Sequence, residues 1–328
     1  MEVARIKHAA GDTVFYRPER EAEVLRAVIA RNEGVVPDKE MARLFREIMS
    51  ACLALEEPLK IAFLGPEGTY TYAAALKHFG HSVTTVPAGA IDEVFREVEA
   101  GSVNYGVVPI ENSTEGMVNY TLDMFLRTPL KICGEVELRI HHHLLSKESD
   151  QAAIQRIYSH AQSLAQCREW LNGRMANVER ISCSSNADAA RRAANEPGAA
   201  AIASAEAGEL YKLNSLAANI EDDPGNTTRF LVLGTQATQS TGKDKTSLLL
   251  STNNRPGALC ELLAALGRRG ISMTRIESRP SRRGMWDYVF FVDIEGHAED
   301  EKVKAVLAEM ASESDMFRLL GSYPRAPI

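Results

Sequence analysis

The chain of 328 residues lacks the features that mark membrane proteins and secreted proteins. No apolar run reaches the ~18 residues of a membrane-spanning helix, and the first residues show no signal-peptide pattern. The five cysteines lie far apart, are odd in number and include no C-x-x-C pair, so neither a zinc site nor a disulfide framework is indicated. We therefore expect a cytoplasmic protein that does not associate with membranes.

An excess of positive charge is also missing. The formal net charge of -7 argues against wholesale binding of nucleic acid, although it leaves room for a local cationic pocket that binds an acidic metabolite. The turn at 65–70 lacks both G-x-G-x-x-G and G-K-[ST] spacing, so neither dinucleotide binding nor P-loop chemistry is supported. We expect no cofactor and no metal.

The composition that remains is that of a soluble globular protein, with 45% hydrophobic and 25% charged residues. The length is sufficient for two or three domains, each with its own core. A helical unit is predicted for 1–57, with apolar residues spaced by four and three between Met41 and Leu55. Its opening resembles the end of a longer helix whose beginning is missing.

Two further units follow. In 58–238, strand and helix patterns alternate, which predicts an α/β domain with a largely parallel sheet. A polar linker at 236–244 leads to 239–328, where the pattern is strand, helix, strand, strand, helix, strand. This βαββαβ order predicts a ferredoxin-like fold.

The segment 226–230 places an amide, two hydroxyls and a guanidinium where a loop becomes a strand. Arg229 can bind a carboxylate through two parallel hydrogen bonds, and the hydroxyls of Thr227 and Thr228 can donate to a leaving oxygen. The alternative is that Arg229 forms a structural salt bridge and the threonines cap a turn. These five residues alone favour the alternative.

Polar residues also end the predicted strand at 107–110. Glu111 can act as an acid or orient a donor, and Asn112 and Ser113 can donate hydrogen bonds. The alternative is a helix N-cap. Similar strand ends at 159–167 and 184–188 lead into helices, whose N-termini suit carboxylate groups. Together these segments predict an anion-binding cleft between two lobes.

Two other groups of residues invite a chemical interpretation. In the run 141–143, alternate side chains of a strand face opposite ways, so only His141 and His143 can share a metal ion, and a structural role is favoured. Cys167 is predicted to face the core, not to act as a nucleophile. In the third unit, the turn at 254–259 and the strand end at 277–280 suit an amino acid, with plain turn chemistry as the alternative.

These motifs together resemble a known family. The segments 65–70, 109–112, 158–160 and 228–230 are similar to prephenate dehydratase. The segments 257–259 and 277–280 are similar to the phenylalanine-binding motifs of its regulatory ACT domain. The first unit resembles the C-terminal part of the helical chorismate mutase found in bifunctional mutase–dehydratase proteins. The resemblance implies a catalytic domain of two lobes, like a periplasmic binding protein, between a partial mutase unit and the ACT domain.

The resemblance implies that prephenate loses carbon dioxide and its ring hydroxyl to give phenylpyruvate. By similarity, Thr228 is essential for dehydration. The other residues implied for catalysis are Glu111 and Asn112, and those implied for substrate binding are Thr69, Ser113, Gln166, Ser185 and Arg229. Two alternatives remain open: an arogenate dehydratase, and a two-lobed metabolite-binding protein without catalysis.

Regulation is implied in the same way. Phenylalanine is expected to bind at an interface between two ACT domains and to inhibit the enzyme, in a homodimer or homotetramer. The residues implied for this effector are Gly257, Ala258, Leu259, Glu277, Ser278, Arg279 and Pro280.

The first unit departs from the mutase pattern. Its mutase-like residues are Lys7, Arg20, Glu21 and Glu56, and the arginines that the family uses for the chorismate carboxylates are absent. Because rearrangement requires a clamp on both carboxylates, we expect little or no mutase activity from these 328 residues. Two alternatives remain open: a start further upstream whose full N-terminus gives mutase activity, or a dehydratase with a mutase remnant.

Overall fold

The computed structural model describes residues 16–252, 255–281 and 288–326. Two helices, α1 (Pro18–Ala30) and α2 (Asp38–Glu56), pack together at the front of the chain. Proline in the first turn of α1 fits because its fixed φ suits a helix start and its missing N–H is not needed there. The apolar stripe predicted on α2 is largely exposed among the described residues, at Phe45, Ile48 and Leu55. Lys7 lies outside the described residues.

The first lobe of the α/β domain is built on a six-stranded sheet of order β2-β1-β3-β11-β5, with β4 beside β3. Its strands are β1 (Lys60–Leu64), β2 (Thr84–Ala88), β3 (Tyr105–Asn112), β4 (Gly116–Met117), β5 (Lys131–Arg139) and β11 (Thr227–Gly234). Its helices are α3 (Tyr70–Phe79), α4 (Ile91–Glu99) and α5 (Asn119–Phe125). One face of the sheet packs on α3, and the other packs on α4 and α5.

The second lobe contains a five-stranded sheet of order β10-β6-β9-β7-β8. Its strands are β6 (His143–Ser146), β7 (Arg156–His160), β8 (Glu179–Cys183), β9 (Ala199–Ala203) and β10 (Asn214–Ala217). Its helices are α6 (Ala161–Gln166), α7 (Arg168–Arg174), α8 (Asn186–Ala193) and α9 (Ala205–Tyr211). A short 3₁₀ turn spans Gln151–Ala153. The prediction of a two-lobed α/β domain is confirmed.

The prediction of a largely parallel sheet is wrong for the strands near the crossings between lobes. The chain leaves the first lobe after β5 and returns to it through β11, so β11 runs antiparallel to both of its neighbours, β3 and β5. In the second lobe, β6 and β10 are antiparallel as well. The returning strand β11 therefore lies between the strands that end at Asn112 and at Arg139.

The C-terminal domain has the predicted βαββαβ order. Its elements are β12 (Asp244–Ser251), α10 (Ala258–Arg268), β13 (Met273–Pro280), β14 (Tyr288–Glu295), α11 (Glu301–Glu313) and β15 (Met316–Pro324). The strands form an antiparallel sheet of order β13-β14-β12-β15. Both helices pack on one face of this sheet, around Leu248 and Val292.

The other face of the C-terminal sheet joins the first lobe in a single hydrophobic core. Leu249 and Phe291 of the C-terminal domain are buried in the same cluster as Leu231 of β11. Gly321 on β15 passes so close to β5 that an added Cβ would overlap the backbone of Ile132. The two domains therefore share buried side chains, and their backbones approach closely at Gly321.

We predict that Gly321→Ala destabilises the protein by about 1–3 kcal/mol, because the methyl group forces the C-terminal sheet away from β5. A fall in the midpoint of urea unfolding would measure this. Gly267 in α10 is the matched control, since an added Cβ there meets nothing within 4 Å. Gly267→Ala should leave the midpoint unchanged or raise it, and equal behaviour of both variants would contradict the prediction.

Within the described residues, no helix is long and apolar enough to cross a membrane.

Candidate active site

A β-bulge shapes the end of β3. The antiparallel register pairs Phe230 with Pro109 but Arg229 with Glu111, so Ile110 is the extra residue. Because of this residue, Ile110 and Glu111 both face the C-terminal domain, where Ile110 joins the shared core. Asn112 consequently lies on the same face as its partner in the register, Thr228. Bulges of this kind re-aim side chains next to active sites.

Asn112 and Thr228 are joined directly on this face. Nδ2 of Asn112 donates to Oγ1 of Thr228 at 2.8 Å and to Oδ1 of Asn226 at 2.7 Å. Oδ1 of Asn112 accepts from the backbone N–H groups of Thr114 and Glu115, both at 3.0 Å. Backbone N–H groups can only donate, so these bonds fix which end of the amide is oxygen and which is nitrogen.

The direction of these bonds determines what Thr228 can do. Its oxygen accepts from Asn112, so its own O–H remains able to donate to a ligand. The amide protons of Asn112 are both used within the protein, and its oxygen is used as well. The arrangement thus presents Thr228 as a hydroxyl donor whose orientation Asn112 fixes. We refer to these two residues as the Asn112–Thr228 pair.

The second lobe reaches this pair through Gln166. Nε2 of Gln166 lies 3.5 Å from Oγ1 of Thr114, a residue that itself donates to Asn112 at 2.7 Å. Oε1 of Gln166 lies 2.9 Å from Nε2 of His142. The other ring nitrogen of His142 lies 2.8 Å from the hydroxyl of Tyr70. Gln166 therefore occupies the junction of the two lobes, and a buried histidine supports it.

His142 was not predicted as a site residue, and the metal hypothesis concerned only His141 and His143. His141 contacts Glu221 at 2.7 Å. Burial tends to raise the pKa of Glu221, but hydrogen bonds from the His142 backbone and from His141 lower it overall. Burial lowers the pKa of His142, helped by the neighbouring His143 and His141. A neutral imidazole suits a position between a hydroxyl and an amide. Among the described residues, no cluster of His, Cys, Asp and Glu is arranged to hold a metal ion.

The lowered pKa of His142 predicts a pH dependence of stability. Below the ordinary histidine pKa of about 6.5, the unfolded state binds a proton at His142 that the folded state does not bind. The free energy of unfolding is therefore highest above this pH and decreases as the pH falls below it. We expect the urea midpoint of the parent to fall between about pH 7.5 and about pH 5.5 by more than that of His142→Gln. Equal losses in both proteins would contradict this assignment.

The remaining predicted substrate-binding residues lie at turns and helix starts. Thr69 caps α3 by accepting from the backbone of Tyr72, and Ser185 caps α8 by accepting from the backbone of Asp188. Ser113 accepts from the backbone N–H of Thr227 at 3.0 Å. Cys167 is buried, which raises the pKa of its thiol, so the prediction of a core position is confirmed.

The structure corrects the interpretation of Arg229 as a ligand for a substrate carboxylate. Arg229 and Thr228 are consecutive on a strand and point to opposite faces. The guanidinium donates to Glu135 at 2.8 Å, to Asp293 at 2.7 Å and to the hydroxyl of Tyr323 at 3.0 Å. Only 11% of the Arg229 side chain is exposed. Its partners Tyr323, Asp293 and Glu135 raise the pKa of Arg229 even though burial opposes its charge. The alternative of a structural salt bridge is the one that fits.

The structure also corrects the prediction that Glu111 acts beside Asn112. The bulge turns Glu111 to the opposite face, where its carboxylate lies 3.6 Å from Nε of Arg275 in the C-terminal domain. A carboxylate on that face is separated from Thr228 by the sheet itself. Glu111 therefore contacts the C-terminal domain, and of these two residues only Asn112 contacts Thr228.

The predicted effector segments lie on two elements of the C-terminal domain. Gly257 has φ +84° and precedes α10, as a tight turn requires, and it is followed by a buried Ala258 and a half-buried Leu259. The other effector residues, Glu277, Ser278, Arg279 and Pro280, lie on the edge strand β13. Arg279 does not pair with Glu277, because it donates to Asp123 of α5 at 3.0 Å.

The described mutase-like residues are partly used inside the protein. Arg20 forms an exposed pair with Glu23 at 3.2 Å. Glu21 contacts Arg46 at 3.1 Å, and both of these side chains are nearly buried. Glu56 is the last residue of α2 and is half-buried.

Comparison with known families agrees with this architecture. The prephenate dehydratase model matches residues 61–238, the ACT domain model matches 246–311 and the chorismate mutase type II model matches 1–57. A bifunctional chorismate mutase/prephenate dehydratase from Stutzerimonas stutzeri is 60% identical, over 99% of this chain and 90% of its own length.

Two solved structures share the fold. Prephenate dehydratase from Arthrobacter aurescens in complex with L-Phe has a TM-score of 0.75 and 35% identity, over 82% of this chain and 90% of its own. GqqA, described as a novel type of quorum quenching acylase, has a TM-score of 0.75 and 31% identity, over 82% of this chain and 98% of its own. The chain thus belongs to the prephenate dehydratase family, with a chorismate mutase type II unit before the dehydratase domain and an ACT domain after it.

Proposed function

We propose that the Asn112–Thr228 pair performs the family's reaction, the decarboxylating dehydration of prephenate to phenylpyruvate in phenylalanine biosynthesis. The observation that carries this assignment is the hydrogen bond from Asn112 to Thr228, which leaves the Thr228 hydroxyl able to donate. The hydrogen bonds of the Asn112 amide are all made within the protein, so this amide holds the Thr228 hydroxyl in place. Such a donor can stabilise a leaving oxygen without reorganising during the reaction.

The reaction requires little more than position and one donor. The electron pair of the bond to the ring carboxylate enters the ring as carbon dioxide departs, and the bond to the ring hydroxyl breaks. The departing oxygen accepts a hydrogen bond from Thr228 and leaves as water after taking up a proton that solvent supplies. Formation of the aromatic ring drives the step, so a well-oriented donor can supply much of the rate.

The substrate carboxylates need a site other than Arg229. We assign them to the helix starts that Thr69 and Ser185 cap, since unpaired backbone N–H groups and the positive end of the helix dipole favour carboxylates. Gln166 and Ser113 complete the cleft between the lobes. A neutral His142 orients Gln166 without adding a charge.

We further propose that phenylalanine binds the ACT domain at 257–259 and 277–280 and inhibits the enzyme, in a homodimer or homotetramer located in the cytoplasm. The five cysteines are all free, which fits a reducing compartment. The domain limits that we propose are 1–57, 58–238 and 239–328. For inhibition, phenylalanine must bind a less active state more tightly than the active one.

One assay tests the substrate and the effector together. Purified full-length chain is given prephenate or arogenate, each with and without phenylalanine, and the aromatic product is followed. We expect phenylpyruvate from prephenate and a lower rate with phenylalanine. Faster turnover of arogenate would establish the alternative substrate, and absence of product from both would contradict a dehydratase.

Chorismate in the same assay tests the first unit. We propose little or no mutase activity for this chain, because Glu21 is held by Arg46 in a nearly buried ion pair. Robust formation of prephenate from chorismate would contradict that proposal.

A further inference from the structure

The ACT domain contacts Glu111 and Arg229, which are the residues next in sequence to Asn112 and Thr228. Glu111 precedes Asn112, Arg229 follows Thr228, and Glu111 and Arg229 are partners in the register of β3 and β11. We propose that the ACT domain positions the Asn112–Thr228 pair through Glu111 and Arg229, that Asp293 is the positioning residue, and that phenylalanine acts on this contact. The inference rests on the proposed function.

Asp293 is built to hold Arg229. Its Oδ2 accepts from the guanidinium of Arg229 at 2.7 Å, and its Oδ1 accepts from the hydroxyl of Ser247 at 2.5 Å. Only 6% of the Asp293 side chain is exposed. Ser247 also contacts the hydroxyl of Tyr323 at 2.7 Å, and that hydroxyl accepts from Arg229. Three residues of the ACT sheet thus fix the position of one side chain of the catalytic strand.

Arg275 extends this contact to the other strand. One nitrogen of its guanidinium lies 3.8 Å from Asp293, and Nε lies 3.6 Å from Glu111. The order Glu111, Arg275, Asp293, Arg229 therefore alternates in charge and begins and ends on paired residues of β3 and β11. We name these four residues the ionic cluster. A movement of the ACT sheet shifts both ends of the ionic cluster, and with them the backbones of Asn112 and Thr228.

The proposed effector segment lies on the strand that carries Arg275. Along β13, Arg275, Glu277 and Arg279 are half-buried and alternate with exposed residues. Arg279 pairs with Asp123 on α5, which follows the loop at 113–115 beside the pair. A ligand bound at 277–280 therefore contacts the same strand that forms ion pairs with the catalytic lobe through Arg275 and Arg279.

Packing makes this contact responsive to small shifts. The ionic cluster lies beside the core that Leu231 shares with the ACT domain. Its members Arg229, Arg275 and Asp293 are nearly buried and therefore have few alternative partners. A displacement of about 1 Å in a catalytic group can cost about 100-fold in rate. The ACT domain can therefore change the turnover without contacting the substrate.

The test compares Asp293→Asn with the parent in the full-length chain. Asparagine keeps the size of the side chain and removes the charge that holds Arg229 and Arg275. We expect kcat to fall about tenfold with KM within about twofold, because the donor is misplaced while the binding groups stay. We also expect saturating phenylalanine to inhibit the variant much less, although calorimetry still detects phenylalanine binding.

Glu295→Gln is the matched control. Glu295 lies on the same strand as Asp293 and pairs with Arg325 at 2.9 Å, where both side chains are about half exposed. This variant should retain the parent's kcat, KM and inhibition. If Asp293→Asn fails to fold, Arg275→Gln interrupts the ionic cluster between Asp293 and Glu111 instead, and it should also lower kcat and inhibition.

The outcomes separate this inference from the proposed function. A folded Asp293→Asn protein with the parent's kcat and the parent's inhibition overturns the inference while the proposed function stands. A loss of efficiency that lies in KM alone, or a variant that is only less stable with normal kcat per folded molecule, also overturns it. A parent that does not convert prephenate overturns the proposed function first.

Discussion

Thr228→Val is expected to lower kcat for prephenate by about 100- to 1,000-fold, the usual cost of removing one placed donor from a transition state. Valine has nearly the shape of threonine, so the strand should keep its conformation, and only the hydroxyl is lost. Because the proposed donor acts on the leaving oxygen, KM should change little. Steady-state kinetics with prephenate measures both constants.

The preceding residue provides the control for this experiment. Thr227 points to the other face of β11, and its hydroxyl donates to the backbone oxygen of Gly225 at 3.1 Å. Thr227→Val removes the same chemical group one position away and should keep most of the parent's activity. Similar activities of the Thr228 and Thr227 variants would rule out a donor role for Thr228. Thr228→Ser, which keeps a hydroxyl, should retain more activity than Thr228→Val.

Arg229→Met is expected to destabilise the protein by about 3–5 kcal/mol, because it leaves Asp293 buried without its closest counter-charge. Glu135 keeps Lys245 at 2.6 Å, so most of the cost falls on Asp293. The loss should appear as a lower urea midpoint. Impaired activity of this variant would follow from the disturbed strand and not from a missing ligand for the substrate.

The exposed pair of Arg325 and Glu295 again provides a comparison. Arg325→Met removes a similar charge from a pair that solvent screens, so we expect a change below about 1 kcal/mol. If Arg229→Met were as stable as Arg325→Met, the buried contact with the ACT domain would not contribute to folding, and the assignment of Arg229 would have to be revised.

The sequence predicts the ACT domain well because its evidence is local. Alternating apolar residues and two helical patterns in the order βαββαβ leave few other folds. The pairing of β11 with β3 and β5 depends on contacts between distant segments, and no local pattern records it. The expectation of a largely parallel sheet was wrong for that reason.

The candidate site shows the same limit in single residues. Alternation along a strand already implies that Thr228 and Arg229 face opposite sides, so one site cannot contain both side chains. The face of Glu111 was not predictable, because the bulge at Ile110 reverses the alternation and has no clear sequence signal. His142 was missed because its partners Tyr70 and Gln166 are distant in sequence.

The shared core has a consequence for enzyme engineering. Cutting the chain before β12 is an obvious route to a dehydratase that phenylalanine cannot inhibit. In this protein the cut would uncover Leu231 and its apolar neighbours, and it would strip Arg229 of Asp293 and Tyr323. The ACT domain thus also covers part of the hydrophobic core of the first lobe. Desensitised enzymes are better made by altering the proposed effector residues than by truncation.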